Sequence, residues 1–268
     1  MRIGFIGTGA MVSAIIRGAI ASGFPASHLV LTDATSHKAA ALAEEIGATW
    51  LASNTSLVDQ VDIVVLGVKP QVQKEVITEI ADAVRRRGDI CVVSIAAGRT
   101  ITSIVDDFGQ AIPVIRVMPN VNALIGHSMS ALCSVGASDA HLKAVRQLMD
   151  SVGTTVELEE KHFPAFSALA ACSPAWVFQI IDSLARAGVK HGLPKATAVT
   201  IAAQALSGSA HLVLDRAEHG TIPTALIDQV TSPGGTTIAG LLAAEEAGLS
   251  TALLHAVDAA VARDKELS

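Results

Sequence analysis

The stretch RIGFIGTGAMV, residues 2–12, decides how the rest of the chain is read. Arg2–Ile6 is a short apolar run, Gly7-Thr8-Gly9 is a turn, and a helical pattern starts at Ala10. Gly7 permits the tight exit from a strand, and Gly9 lets main-chain amides at a helix start approach a pyrophosphate. The third position of such a fingerprint holds Val12 rather than glycine or alanine, which predicts that helix and strand pack slightly apart. A lone Gly-x-Gly also fits a tight turn in an α/β domain that binds no nucleotide. The setting favours the nucleotide: first strand, first helix, and an acidic residue, Asp33, closing the second strand.

Beyond this segment, short β-branched runs alternate with helical patterns. Strands are expected at Arg2–Ile6, Leu29–Thr32, Asp62–Val68, Asp89–Ile95, Pro113–Met118, Met129–Val135 and Thr154–Leu158. Helices are expected between most of them, among them Ala10–Ala21, His37–Ile46 and Gln71–Arg86. Apolar strands separated by helices predict a parallel sheet covered on both faces. After Glu159 the strand pattern stops. Residues 160–266 are rich in alanine and leucine at helical spacing, punctuated at Ser173-Pro174, Gly192-Leu193-Pro194, Ile222-Pro223 and 231–237. The expected organisation is a doubly wound α/β domain over 1–159 and an all-helical domain over 160–268.

Composition narrows the function. With 268 residues, half of them apolar and 16% charged, the chain can bury a large core. A net charge of -6 argues against a general nucleic-acid or membrane-surface binder. Apolar stretches read as broken by charge or glycine before the roughly 20 residues of a membrane span. The chain opens directly on a strand pattern, MRIGFIG, so no signal peptide is expected. Cys91, Cys133 and Cys172 are far apart and show neither disulfide nor metal-ligand spacing. These features predict a cytoplasmic protein without a structural metal.

Asp33 bears on cofactor choice. Its carboxylate suits the two ribose hydroxyls of NADH and repels the 2′-phosphate of NADPH, and Ala34 follows where arginine would serve a phosphate. The reading leans to NADH, while Thr35, Ser36, His37 and Lys38 leave a phosphate site open. Asp33 also fits an N-cap of the following helix. Three loops follow strand ends, Gly67–Gln71, Ser94–Gly98 and Met118–Asn120, where ligands of open α/β sheets bind.

In the helical half, TSPGGTTIAG at 231–240 sets two adjacent glycines in a region otherwise read as helix. They cost about 2 kcal/mol against alanine if the segment were helical. Ser232 and Pro233 suit N-cap and N1 positions, and Gly234 and Gly235 leave amides uncovered beside the Thr237 hydroxyl, an arrangement suited to a carboxylate. An ordinary helix–helix turn is the other reading.

The segments GVKPQ (67–71), SIAAG (94–98), RVMPN (116–120), GVKHGLP (188–194) and DQVTSPGGTTIAGL (228–241), taken in order, resemble the pyrroline-5-carboxylate reductase family. The resemblance runs from Met1 to about Leu267, and 228–241 is its most specific part. It implies reduction of a cyclic imine to proline with NADH or NADPH. It also implies a Rossmann-type domain, a helical dimerisation domain, and interlocked homodimers or higher assemblies. The site would form between one chain's cofactor domain and its partner's helical domain. Cofactor contacts would come from the glycine loop (Gly7, Thr8, Gly9, Ala10, Met11), from Asp33 and Asn54, and from Val68, Lys69, Pro70, Ala96, Ala97 and Asn120. The substrate carboxylate would be held by Ser232, Gly234, Gly235 and Thr236. Thr237 would hydrogen-bond the ring nitrogen.

The chain departs from the family pattern near the expected substrate pocket. Ala170-Ala171-Cys172-Ser173 stands where the family has Ser-Gly-Ser-Gly, Val121-Asn122 where it has Thr-Pro, and Gly220 near a family glutamate. These changes bear on substrate identity, so a six-membered or substituted cyclic imine is the alternative substrate. A non-catalytic cofactor-binding paralogue is a further alternative. A β-hydroxyacid dehydrogenase needs a lysine at the start of its long helix, and 170–182 has none. Trp176, Val177, Ile180 and Ile181 begin a long apolar helix that predicts an obligate dimer.

Overall fold

A computed structural model describes residues 1–267. Contacts divide it into two compact units, one of Met1–Cys172 with the chain end from Ala260, the other of Ser173–Ala259. The sequence pattern changes earlier, at residue 160. The intervening turns stay with the first unit because Phe163, Phe166 and Ala170 bury themselves against Met118 and Ala131 of its sheet.

The first unit is built on one eight-stranded sheet in the order β3-β2-β1-β4-β5-β6-β7-β8. The strands are β1 (Ile3–Ile6), β2 (Leu29–Thr32), β3 (Thr49–Trp50), β4 (Ile63–Leu66), β5 (Cys91–Ser94), β6 (Val114–Met118), β7 (Ser128–Val135) and β8 (Gly153–Glu157). The helices between them are α1 (Ala10–Ala21), α2 (Ser36–Ile46), α3 (Asn54–Val58), α4 (Pro70–Arg87), α5 (Ile101–Phe108) and α6 (Asp139–Asp150), and the short α7 (Phe163–Phe166) follows β8. Strands β1, β2, β4, β5 and β6 are buried along their whole length, which explains their unbroken apolar runs. Alternate residues face opposite layers. Phe5, Leu31, Val65 and Val93 pack with α1, α2 and α6; Ile6, Val30, Val64 and Val92 pack with α3, α4 and α5.

The order 3-2-1-4-5-6 is the dinucleotide-binding one, with its switch point between β1 and β4. The expected all-parallel sheet needs one correction: β7 pairs antiparallel with β6, Met118 opposite Ala131. Met118 and Ser128 are joined by a short link whose middle, Val121–Ile125, is a single 3₁₀ turn, too short for a crossover to a parallel neighbour.

The second unit is helical: α8 (Ser173–Lys190), α9 (Lys195–Ala217), α10 (Pro223–Val230), α11 (Thr236–Glu246) and the first part of α12 (Leu249–Leu267). α8 and α9 meet through small residues; a Cβ on Gly188 would lie 3.0 Å from the Ala198 Cβ. The expectation that apolar stretches end short of a membrane span is overturned. Glu160–Lys190 and Lys195–Ala217 each contain an 18-residue window, of mean hydropathy 1.4 and 1.3, long and apolar enough to cross one by length and composition alone. Alanine, glycine and serine lengthen these stretches without adding charge.

Candidate active site

The carboxyl ends of β1, β4, β5 and β6 open onto a cleft of about 440 Å³ in the first unit. Its walls come from Gly9, Ala10 and Met11, from Gly67–Pro70, from Ile95–Ala97, from Met118–Val121, and from Ala171. The structure thus gathers Gly9, Ala10, Met11, Val68, Lys69, Pro70, Ala96, Ala97 and Asn120, all anticipated from sequence. Gly7, Thr8 and Asp33 are not among its lining residues. Asn54 is not drawn into it, because its Nδ2 donates to Glu79 Oε2 at 2.7 Å.

Gly7 turns the chain out of β1 at φ +94°, and a Cβ there would lie 2.8 Å from Val68 Cγ1. Gly9 is the N-cap of α1 and has no side chain to bond the first turn. The first helical bond is Ser13 N–H to the Gly9 carbonyl, 2.9 Å, so the amides of Ala10, Met11 and Val12 lack carbonyl partners within the helix. A Cβ on Gly9 would meet nothing within 4 Å, so space lies open before those amides. This fits a nicotinamide dinucleotide pyrophosphate, favoured further by the positive end of the helix dipole.

The expectation that Val12 holds helix and strand apart is corrected. Val12 is 1% exposed, and the room for it is made at Gly67, where a Cβ would lie 2.4 Å from Val12 Cγ2. The missing third glycine of the fingerprint is offset by a glycine on the neighbouring strand end.

Asp33 does not cap α2, whose N-cap is Thr35 without a side-chain bond. Its Oδ2 accepts from Thr8 N–H at 2.7 Å and Thr8 Oγ1–H at 2.9 Å, and its Oδ1 accepts from Thr35 N–H at 2.8 Å. Burial alone would raise this carboxyl. The bonds from Thr8 and Thr35 and the charge of Lys38 outweigh burial, so the acid is held below its ordinary value. Asp33 therefore already organises the glycine loop, which the sequence did not reveal.

Asn120 is 5% exposed and ties three segments together. Its Nδ2 donates to the Ala170 carbonyl at 2.9 Å, its Oδ1 accepts from Asn122 N–H at 3.1 Å, and its N–H donates to Ser128 Oγ at 3.3 Å. Ala170 lies in a π-helical turn, Ser167–Cys172, a form common at functional sites. Cys91 and Cys133 are unreactive thiols, pushed up by burial to about 12 and about 11.

In the second unit, Gly235 rather than Ser232 is the N-cap of α11, with Thr236 and Thr237 opening the helix. Ser232–Gly235 form a tight turn, closed by Gly235 N–H donating to the Ser232 carbonyl at 3.0 Å, with Gly234 at φ +67°. The expected N-cap and N1 roles of Ser232 and Pro233 are therefore corrected: proline sits inside the turn, not in the helix. A Cβ on Gly235 would lie 2.4 Å from Ser232 Oγ, so glycine keeps the serine hydroxyl at the helix mouth. The amides of Thr236, Thr237 and Ile238 have no helical acceptor, and the side chains of Ser232, Thr236 and Thr237 are exposed.

A family model described as pyrroline-5-carboxylate reductase dimerisation matches residues 160–267. Another, described as NADP oxidoreductase, coenzyme F420-dependent, matches 2–98. The pyrroline-5-carboxylate reductase of Pisum sativum is 38% identical over 270 residues, covering 99% of this chain and 96% of its own. The chain belongs to the pyrroline-5-carboxylate reductase family. Among solved structures, the 1-pyrroline-5-carboxylate reductase of Streptococcus pyogenes superposes with a TM-score of 0.86 at 37% identity, over 99% of this chain and 98% of that one. The Plasmodium falciparum pyrroline carboxylate reductase, solved with NADP bound, gives 0.86 at 27% identity, over 100% and 98%. Membership in this family accounts for the second unit's exposed surface. Phe178, Leu184, Ile201 and Leu214 are each at least half exposed along α8 and α9, as the subunit face of a dimerisation domain requires.

Proposed function

We propose that this protein reduces 1-pyrroline-5-carboxylate to L-proline with NAD(P)H, and that NADH is the preferred donor. The observation that carries the reading is likeness along the whole chain to reductases of that name. The open first turn of α1 supports it with a physical fit to a dinucleotide. A nicotinamide held there would supply the hydride for the C=N carbon. The chain's own contribution is mainly positioning. Amides of Ala10 and Met11 would donate to pyrophosphate oxygens, and Asp33, whose carboxylate keeps about one lone-pair site beyond its three present bonds, would accept from a ribose hydroxyl.

The uncovered amides at the start of α11, with Ser232 and Thr236, hold the substrate carboxylate. Thr237 Oγ1–H donates to the ring nitrogen as it gains electron density. A protonated imine is already electrophilic, so holding it in line with the donor supplies much of the rate and no strong general acid is needed. The preference for NADH rests on Asp33 and Ala34. The NADP in the Plasmodium structure makes NADPH the competing choice. A related cyclic imine is the second reading, supported by Ala171, which lines the cleft in the segment that departs from the family pattern. The three free cysteines fit a reducing compartment, and we assign the protein to the cytoplasm on that ground.

The test is nicotinamide oxidation by the purified protein with a panel of five- and six-membered cyclic imino acids and each cofactor. Turnover highest with 1-pyrroline-5-carboxylate and NADH is expected. Cofactor binding without turnover of any imine would leave only a non-catalytic paralogue.

A further inference from the structure

Gln73 is completely buried, with 0% of its surface exposed, and no sequence motif accounts for it. It lies one turn into α4, just past the Lys69–Pro70 entry that lines the cofactor cleft. A neutral amide at such depth keeps its place only if its hydrogen bonds are met, and here they are. Its Nε2 donates to Ser94 Oγ at 3.1 Å and reaches the Leu66 carbonyl at 3.5 Å. Its Oε1 accepts from Arg99 Nε–H at 3.3 Å. Ser94 Oγ in turn accepts from Ala96 N–H at 3.4 Å. Arg99 is held from its far side by the Asp107 carboxylate and by the Ser103 carbonyl, the latter at 3.5 Å.

The ends of this network matter. Leu66 is the last residue of β4 and Ser94 the last of β5. The chain leaves these residues into the two loops, Gly67–Pro70 and Ile95–Ala97, that follow neighbouring strands and both line the cleft. One side-chain amide therefore ties the roots of both loops together and fixes the Arg99 side of the second. A leucine of similar size would fill the same volume but make none of these bonds. The buried polar choice costs stability if packing were its only purpose.

We propose that Gln73 is a positioning residue that sets the separation of the two cleft loops and thereby the affinity for the nicotinamide nucleotide. This rests on the family reading that the cleft holds that nucleotide. Gln73 does not touch substrate, so its effect falls on cofactor binding and leaves the imine site alone.

The experiment compares wild type with Gln73→Leu and Ser94→Ala in the full-length oligomer, after circular dichroism has established folding. Cofactor dissociation constants for NADH and NADPH are read by nucleotide fluorescence, and steady-state constants are measured with 1-pyrroline-5-carboxylate. Each variant is expected to weaken binding of the better cofactor by about tenfold, the scale of one buried hydrogen-bond partner. At saturating cofactor, kcat and the imine KM are expected to stay within about twofold of wild type, a split that general loss of structure would not produce. The double variant is expected to bind cofactor no worse than the weaker single variant, because both changes cut one linkage. Wild-type affinity in Gln73→Leu, or losses spread equally over cofactor, imine and turnover, would overturn the proposal. If Gln73→Leu does not fold, Ser94→Ala decides alone: unchanged cofactor affinity overturns the proposal and selective weakening supports it. Wild type binding neither nucleotide would instead overturn the family reading of the cleft.

Discussion

Replacing Gly67 by alanine tests how the first helix seats on the sheet. The new methyl would lie 2.4 Å from Val12 Cγ2, 2.7 Å from the Gly7 carbonyl oxygen and 3.2 Å from the Ile6 carbonyl oxygen. Val12 cannot swing aside cheaply, since a β-branched residue in a helix has one strongly preferred rotamer and this one is 1% exposed. Overpacking of this kind costs about 3 kcal/mol. Val12→Ala alone removes two buried methyl groups and costs about 2 kcal/mol. Were the sites independent, the double variant would lose about 5 kcal/mol. Removing the Val12 methyls relieves the closest contact and leaves the one with the Gly7 carbonyl, so a loss of about 3 kcal/mol is expected instead. The assay is urea unfolding followed by tryptophan fluorescence, with all variants at one protomer concentration because assembly contributes to apparent stability. Additive losses, within about 0.5 kcal/mol, would refute the claim that Gly67 makes the room for Val12.

Further outcomes follow from Asp33, Thr237 and Glu160. Asp33→Ser with Ala34→Arg should move cofactor preference towards NADPH; a wild type that already turns over NADPH more efficiently would refute the reading of Asp33. Because the folded state holds the Asp33 carboxyl below its ordinary value, its stabilising contribution is full above the unfolded pKa and fades as pH falls through the folded one. The stability difference between wild type and Asp33→Asn should therefore close below about pH 4, as acid unfolding at several pH values would show. Thr237→Ala should lower turnover as well as affinity by about 1–3 kcal/mol, and steady-state kinetics with unchanged kcat would count against its role at the ring nitrogen. Glu160→Ala should cost about 3–5 kcal/mol in urea unfolding, because it strands a buried cation. Glu160 Oε1 accepts from Arg116 Nη1 at 2.9 Å and from Ile101 N–H at 2.8 Å, and Arg116, stacked 4.5 Å over the Phe163 ring, is only 4% exposed.

The sequence carried the sheet's interior well because fully buried strands leave unbroken apolar runs, and Leu29–Thr32 is found with its anticipated bounds. It missed β3 and α3, since two residues, Thr49 and Trp50, and a single short turn, Asn54–Val58, are too brief to establish a period. The reversed direction of β7 could have been inferred from the length of its link to β6, since spacing constrains direction where apolar pattern does not. At the site, glycines and strand ends marked the cleft loops. Polar cross-links were hidden: helical spacing sets Gln73 on the stripe of Val76, Ile77 and Ile80, away from the exposed Gln71, but spacing does not name the partners on β4, β5 and Arg99 that its amide meets. Val12 showed the limit of reading one segment alone, for the residue that accommodates it lies on another strand end.

The tether from Asn120 ends on a main-chain oxygen, that of Ala170. Every amino acid offers the same acceptor at that point, so this bond does not depend on the side chain at the neighbouring position 171, while Ser167, Ala168 and Ala170 are buried. Ala171, next in line, faces the cleft. Anchoring and selectivity are thus borne by different atoms of one short segment. Such a division leaves a lineage free to vary the wall that meets a ligand without first repairing its framework. It also marks position 171 as the first place to vary when adapting this scaffold to a bulkier ring.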